Sequence, residues 1–328
     1  MRACIAGWGA AVPAGRLTNA DLEARVDTSD QWIVERTGIR ERRYAAEGET
    51  TATLAIEAGA NAIKSAGLTP DAIDLLVVAT ATPEQPIPHT GAFVGDGLGL
   101  RCASFDINVG CAGFIYELVT GAALLQAGNL DHVLVIGCET LSRIVDPRDR
   151  GTCIIFGDGA AAVVLAPTTD DGPGILGWDL GCDGSATGLV GLPAGGSRLP
   201  ASQDTIDEGL HFLKMQGQEL FRRAVRVVVE SVGVTLARSG ITADDVSWFI
   251  PHQANLRIIE AAANRLGIPR ERTVVNIERF GNTSAASIPL AMSEAADDGR
   301  IRDGDLVLMS GFGAGMAWGS VVVRWGRA

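Results

Sequence analysis

Both halves of this chain close on the same local pattern, and that repetition limits the fold more than any single motif. Phe156-Gly157-Asp158-Gly159-Ala160 runs into Ala161-Ala162-Val163-Val164-Leu165, and Phe312-Gly313-Ala314-Gly315 runs toward Gly319-Ser320-Val321-Val322-Val323. The segments upstream repeat as well. In the first half a helix-periodic stretch from Leu54 to Ala66 precedes a strand, Leu75 to Thr80, and a helix, Phe114 to Gln126, precedes the strand Val133 to Gly137. In the second, the helix Leu220 to Arg238 precedes the strand Val246 to Ile250. The helix Leu256 to Leu266, the strand Thr273 to Asn276 and the helix Ala285 to Ala296 follow. Alternating strands and helices define an α/β class, and continuously apolar strands predict sheets covered on both faces. A turn-rich break, Pro167 to Gly174, falls near the middle. Internal duplication is the simplest account, with halves 1–170 and 171–328.

The 328 residues suffice for two ordinary domains or one duplicated unit. A net charge of −12 argues against a general nucleic-acid or anionic-membrane binder, and 5% aromatics against stacking platforms. The apolar stretches Leu75-Leu76-Val77-Val78-Ala79 and Val133-Leu134-Val135-Ile136 are strand-length, far short of the roughly 20 residues a membrane helix needs, so no membrane span is expected. Met1 to Gly9 reads as a strand and turn without the marks of a signal peptide, so a cytoplasmic location is expected. The six cysteines form no CxxC pair, which predicts neither a disulfide framework nor a metal site. Cys4, Cys102, Cys138, Cys153 and Cys182 are expected to be small buried hydrophobes.

Cys111 differs from them. Asn108-Val109-Gly110-Cys111-Ala112-Gly113-Phe114 sets it among small residues, with the strand Ser104 to Ile107 leading in and a helix leading out. A helix dipole and free N–H groups there would favour a nucleophilic thiolate. The duplication sets Asn282, in Gly281-Asn282-Thr283-Ser284, at the matching helix start, and puts His252, in Pro251-His252-Gln253, on a loop that can face both. Singly these residues have plain readings: a buried thiol, a surface or capping histidine, a helix N-cap or turn asparagine. Jointly they suit acyl transfer, in which a thiolate attacks a thioester and neutral donors stabilise an oxyanion or enolate, with no metal required. The backbone N–H groups of Cys111 and of Ala314, in the turn Gly313-Ala314-Gly315, are candidates for an oxyanion hole. The long Gly-, Ser- and Pro-rich connection from Gly181 to Gly209 reads as a functional loop or lid.

These motifs, with Asp27-Thr28-Ser29-Asp30-Gln31-Trp32-Ile33-Val34-Glu35-Arg36-Thr37-Gly38-Ile39-Arg40 and Asp149-Arg150-Gly151, resemble those of the β-ketoacyl-acyl-carrier-protein synthase III family. That family holds the initiating condensing enzymes of bacterial fatty acid synthesis, and the likeness covers nearly the whole chain. It implies a thiolase-like, duplicated, five-layered αβαβα fold in a homodimer. It implies that Cys111 is acylated from acyl-CoA and that malonyl-acyl carrier protein then enters and loses CO2. His252 and Asn282 would hold the malonyl thioester carbonyl, and the product would be a 3-oxoacyl-carrier protein. Acyl-CoA and the carrier protein are then substrates, and no cofactor is implied. A thiolase would carry a second cysteine near the last glycine turn, where Gly311-Phe312-Gly313-Ala314-Gly315-Met316 has none. Two other readings stand beside this one: a starter-loading or acyl-transferring relative from a polyketide or secondary-metabolite pathway, and a catalytically silent partner subunit. Intact Cys111, His252 and Asn282 argue against the last.

By the same resemblance Thr28, Trp32, Arg36, Thr37 and Arg150 would bind CoA, through stacking and phosphate pairing. On their own, Trp32 reads as a core or interface aromatic and the arginines as solvated ion pairs. Arg222, Arg257 and Arg265 match basic positions that meet the acidic carrier protein, a local attraction on an acidic chain, although each also reads as ordinary helix-surface charge. Ile87 matches a position that reaches from the partner subunit into the acyl pocket, which Phe156 and Met215 would also line. Because acetyl-selective members can carry a bulky aromatic there, isoleucine predicts a pocket open to branched or longer acyl groups. The chain departs from the family pattern at Gly110, where alanine is frequent, and at Ala314, where glycine is. A backbone donor survives either substitution.

Overall fold

A computed structural model describes residues 1–327. The first half forms a five-stranded sheet in the order Arg2–Ala11, Asp158–Thr168, Val133–Thr140, Leu75–Ala79, Ala103–Ile107. Leu75–Ala79 and Val133–Thr140 are buried along their whole length, as their unbroken apolar sequence predicts for strands covered on both faces. The second half forms a four-stranded sheet, Trp248–Pro251, Leu306–Gly313, Ala317–Arg324, Gly174–Cys182. Corresponding neighbours pair in the same sense in the two sheets, parallel at Val133–Thr140 with Leu75–Ala79 and at Leu306–Gly313 with Trp248–Pro251, antiparallel outward from there.

The second sheet lacks a counterpart of Ala103–Ile107. The strand expected over Thr273 to Asn276 is reduced to one parallel bridge between Thr273 and Phe249. A side chain takes the place of the missing ladder. The Gln253 amide donates to the carbonyls of Pro251 (2.8 Å) and Val274 (3.2 Å), and its oxygen accepts the Asn276 N–H at 3.1 Å. Backbone groups that must be paired when buried are thereby satisfied without a strand.

Two helices, Gly113–Leu124 and Ser287–Asp297, lie between the sheets. Phe114, Leu118, Ile288 and Met292 join Val77 and Val135 of one sheet to Ile250 and Met309 of the other in a single core. On the outer face of the first sheet, Ala55, Ala58 and Ala62 of the helix Thr51–Ser65 pack on Leu76 and Leu134. On the outer face of the second, the helices Gly217–Ser239 and Leu256–Leu266 set Val228, Val232 and Ile258 on Phe249 and Leu308. The layers therefore run αβαβα. Their order explains a stretch that the expectation of strand-length apolar runs overlooked: Gly110–Asn129 is long and apolar enough to cross a bilayer, but 56% of its apolar window is buried in this fold. A helix flanked by two sheets is apolar around most of its circumference.

Cys4, Cys138 and Cys153 are buried, whereas Cys102 is half-buried and Cys182 exposed, against the expectation for those two. The connection from Gly181 to Gly209 carries structure of its own, including the short helix Gln203–Asp207 and a strand pair, Val190–Gly191 with Lys214–Met215.

The central helices approach the sheets closely at glycines. A Cβ placed on Gly137 would lie 2.4 Å from the Ala285 carbonyl oxygen, so backbone faces backbone with no room for a methyl. Gly137→Ala is expected to destabilise the protein by about 1–3 kcal/mol, the usual range for overpacking. A urea midpoint equal to that of the unaltered protein would contradict this.

Candidate active site

Beyond the strand Ala103–Ile107 the chain turns sharply at Gly110, whose φ is +51°, and makes one 3-10 turn, Gly110–Ala112, before the helix begins at Gly113. The second half repeats the device. Ser284 has φ +48° and opens the 3-10 turn Ser284–Ala286, after which the helix begins at Ser287. Superposing the turns pairs Gly110 with Ser284 and Cys111 with Ala285. The expected equivalence of Asn282 with Cys111 is therefore off by three residues: Asn282 is the counterpart of Asn108. Each asparagine oxygen faces the N–H two residues on, at 3.5 Å for Gly110 and 2.8 Å for Ser284, a local bond that shapes the turn. The signal is visible in the sequence as Asn-Val-Gly-Cys-Ala-Gly against Asn-Thr-Ser-Ala-Ala-Ser.

Cys111, His252 and Asn282 border one cavity of about 170 Å³. Asn282 is joined to the first half through its backbone: its N–H donates to the Ile155 carbonyl at 2.9 Å, and its own carbonyl accepts the Gly157 N–H at 3.0 Å. With the side-chain oxygen engaged by Ser284, the amide NH₂ is the group left to donate. His252 is only 2% exposed. Its N–H donates to the Ser310 carbonyl at 2.8 Å, Nδ1 lies 2.6 Å from Ser287 Oγ, and the ring meets Phe312 edge to face with centroids 5.5 Å apart. Burial pushes the imidazole down from 6.5 to about 3, so it is neutral near pH 7.

Cys111 overturns the expectation of a resting thiolate. Burial pushes the thiol up to about 12, opposed by hydrogen bonding from Ser284 and assisted by the negative charge of Glu139. A rise of this size from 9 corresponds to about 4 kcal/mol, whereas a helix terminus typically supplies about 0.3–1 kcal/mol. Desolvation wins, and the resting pair is a neutral thiol and a neutral imidazole. Glu139 is itself buried and accepts from the Ala81 N–H, and from the Thr82 N–H and hydroxyl at 3.0 and 2.6 Å, which fixes the loop whose Ala81 also borders the cavity. Ser284, Ser287 and Glu139 were not among the sequence candidates, because no short-range pattern ties them to the cysteine.

The glycine turn meets the nucleophile backbone to backbone. A Cβ on Gly313 would lie 2.5 Å from the Cys111 nitrogen, and one on Gly110 would lie 3.0 Å from the Ala314 nitrogen and 3.3 Å from the Ala314 Cβ. Gly110 and Ala314, the two departures from the family pattern, therefore face each other, and a methyl at 110 would press on the Ala314 nitrogen as well as on its Cβ.

Phe156 and Met215 border the cavity, and so does Val190 of the long connection. Ile87 does not: at 85% exposed it stands on the surface of its own chain. Trp32 is flanked by the guanidinium groups of Arg36, 4.7 Å from the ring centroid, and Arg150, 4.8 Å away. Arg150 also donates to the Asp27 carbonyl at 2.6 Å. Thr28 Oγ1 is buried without a hydrogen-bond partner among the described residues and can serve a ligand. Thr37 differs from Thr28: it is buried, and its hydroxyl donates to the Ile33 carbonyl (2.7 Å) and accepts the Ile39 N–H (3.0 Å), completing a helix end. Arg257 lies 5.9 Å from the ring centre of Phe221, which borders the cavity. Arg222 pairs with Glu219 at 3.8 Å, and Arg265 is exposed on the helix that carries Arg257.

Two outcomes are expected. Gly110→Ala should lower stability by about 1–3 kcal/mol, through its positive φ as well as its approach to Ala314, and adding Ala314→Gly should restore only the part owed to the Ala314 methyl. Strictly additive effects in urea unfolding would show that the two positions do not share one space. His252 is the second case. Its folded value of about 3 lies below the unfolded 6.5, so between these pH values the unfolded chain binds the extra proton and stability falls as pH falls. At pH 4.5 this loss is about 3 kcal/mol. His252→Asn should show a correspondingly shallower decline between pH 7 and 4.5, and parallel curves for the two proteins would contradict it.

Comparison with known proteins places these features. Residues 105–184 match the family model described as 3-oxoacyl-[acyl-carrier-protein (ACP)] synthase III, and residues 236–325 match the model for its C-terminal part. The β-ketoacyl-[acyl-carrier-protein] synthase III of Symbiobacterium thermophilum is 50% identical over 98% of each chain. The synthase III structure from Thermus thermophilus superposes with a TM-score of 0.93 at 44% identity, covering 99% of this chain and 100% of that one. The priming β-ketosynthase of the R1128 polyketide pathway gives a TM-score of 0.91 at 33% identity, covering 100% and 97%. Such identity over nearly the whole length means that the chain belongs to the 3-oxoacyl-acyl-carrier-protein synthase III family.

Proposed function

We propose that the chain catalyses the decarboxylating Claisen condensation that initiates fatty acid synthesis. An acyl group passes from acyl-CoA to Cys111, and malonyl-acyl carrier protein then supplies the nucleophilic carbon. The products are 3-oxoacyl-carrier protein, CoA and CO2. The observation that carries this reading is the meeting of Cys111, His252 and Asn282, drawn from turns far apart in sequence, on one cavity.

In the first step the Cys111 sulfur bonds to the acyl carbon and the bond from that carbon to the CoA sulfur breaks. The thiol proton ends on the departing CoA thiol. The backbone N–H groups of Cys111 and Ala314 would hold the transient oxyanion. In the second step the bond between the malonyl carbon and its carboxylate breaks and CO2 leaves. The electron pair is held as an enolate whose oxygen accepts hydrogen bonds from His252 and Asn282. The enolate carbon then bonds to the acyl carbon as the bond from that carbon to the Cys111 sulfur breaks, and the released thiolate takes up a proton from solvent. The burial that keeps His252 neutral suits this role, since a neutral imidazole donates one N–H while an imidazolium would offer a proton to quench the carbanion.

CoA would stack at Trp32 between Arg36 and Arg150, with Thr28 offering its unpaired hydroxyl. Arg257, with Arg222 and Arg265, would meet the carrier protein at the rim. The enzyme would work in the cytoplasm as a homodimer, with each Ile87 reaching the partner's acyl pocket; its exposure suits that role.

After exposure to acyl-CoA, mass spectrometry should find one acyl adduct that is lost in Cys111→Ala. His252→Ala and Asn282→Ala should keep self-acylation and lose decarboxylation of malonyl-carrier protein by at least about 100-fold, as for loss of an oxyanion donor. Loss of acylation in both variants would contradict their roles. A panel of acetyl, branched and longer primers should show turnover beyond acetyl, and exclusive use of acetyl-CoA would overturn the reading of Ile87.

A further inference from the structure

The hydrogen bond between Ser287 and His252 has only one arrangement that leaves no buried group unpaired. Ser287 is 1% exposed and His252 2%. Ser287 Oγ has two polar neighbours among the described residues, His252 Nδ1 at 2.6 Å and the backbone nitrogen of Gln253 at 3.4 Å. The Gln253 N–H can only donate, so it occupies a lone pair of the hydroxyl. The hydroxyl hydrogen then has one acceptor, Nδ1. Were Nδ1 to carry the proton and donate instead, the serine hydrogen would be buried without a partner, which native structures avoid. With Nδ1 accepting, the single proton of the neutral imidazole must sit on Nε2.

We propose that Ser287 is a positioning residue that holds His252 in the Nε2–H tautomer, so that the ring presents a hydrogen-bond donor to the cavity. The surroundings leave the ring little other freedom. The His252 N–H is bound by the Ser310 carbonyl, Phe312 packs at the ring, and the Gln253 side chain locks the following residues to Pro251 and Val274. The inference rests on the proposed reading that His252 donates to the enolate oxygen. It adds what makes that donor available: a hydroxyl at the start of the helix Ser287–Asp297, opposite the helix that follows the nucleophile. Formation of acyl-Cys111 places no demand on the Nε2 proton, whereas stabilisation of the enolate does, so the two half-reactions should respond differently to loss of the hydroxyl.

The test combines one variant with one spectroscopic measurement. In Ser287→Ala, CO2 release from malonyl-carrier protein should fall at least tenfold while self-acylation from acyl-CoA falls less than threefold. In the unaltered protein labelled with ¹⁵N-histidine, the signals that vanish in His252→Asn should show a bare Nδ1 and a protonated Nε2. In Ser287→Ala they should move toward a mixture of tautomers. A protonated Nδ1 in the unaltered protein, unchanged CO2 release in Ser287→Ala, or equal loss of both half-reactions would each overturn the proposal. The underlying reading fails separately: if His252→Ala, which offers no donor, retains decarboxylation, His252 is not the enolate donor, while the spectra still report whether Ser287 sets the tautomer.

Discussion

Backbone packed directly against backbone, where the two halves join, is the constraint on which the site depends. Asn282 exchanges hydrogen bonds with Ile155 and Gly157, and a side chain on Gly313, Gly137 or Gly157 would strike the backbone of Cys111, Ala285 or Phe280. These approaches bring the nucleophile turn, the asparagine turn and the last glycine turn to one cavity, although they belong to different sheets. They also carry little freedom, because interiors packed to this density transmit a displacement instead of absorbing it. Placement of the reacting groups is therefore a property of the interface between the halves and of no single loop.

Burial at that interface sets the charge state of the chemistry. The thiol of Cys111 and the imidazole of His252 are both driven to their neutral forms by desolvation. A thiolate–imidazolium pair, familiar from cysteine hydrolases, would serve attack on an amide, but here the second step creates a carbanion that an acidic neighbour would destroy. A site that keeps both groups neutral and lets protons move only as bonds form reconciles acylation with carbanion chemistry. Glu139 fits the same plan. Its carboxylate is satisfied by the loop at Ala81 and Thr82 and adds repulsion against a resting thiolate.

The duplication shows how one turn acquired two functions. In both halves an asparagine bonds to the N–H two residues on, a residue at positive φ follows, and a helix begins after one 3-10 turn. In the first half the turn presents Cys111, at the position filled by Ala285 in the second. In the second half it is the asparagine that faces the cavity, and Ser287, the counterpart of Gly113, bonds to the histidine. The positive φ explains why glycine stands at 110. Serine at 284 adopts the same conformation, an uncommon one for a residue with a Cβ, and it places its hydroxyl beside the thiol.

Hydrophobic period and turn composition are local properties written in neighbouring residues, and they carry the alternation of strands and helices, the repeat, and the candidacy of Cys111, His252 and Asn282. The sequence also carried the asparagine alignment, legible once the two hexapeptides are set side by side. It did not carry the protonation of the thiol, the loss of the edge strand at Thr273 to Asn276, the employment of Thr37 in a helix end, or the partnership of Ser287 with His252. Each of these turns on desolvation or on a hydrogen bond between residues whose proximity only the packed layers create. A dipole argument made on an isolated helix favours a thiolate, and the same helix placed between two sheets favours the thiol, since burial of charge outweighs the field of one helix terminus.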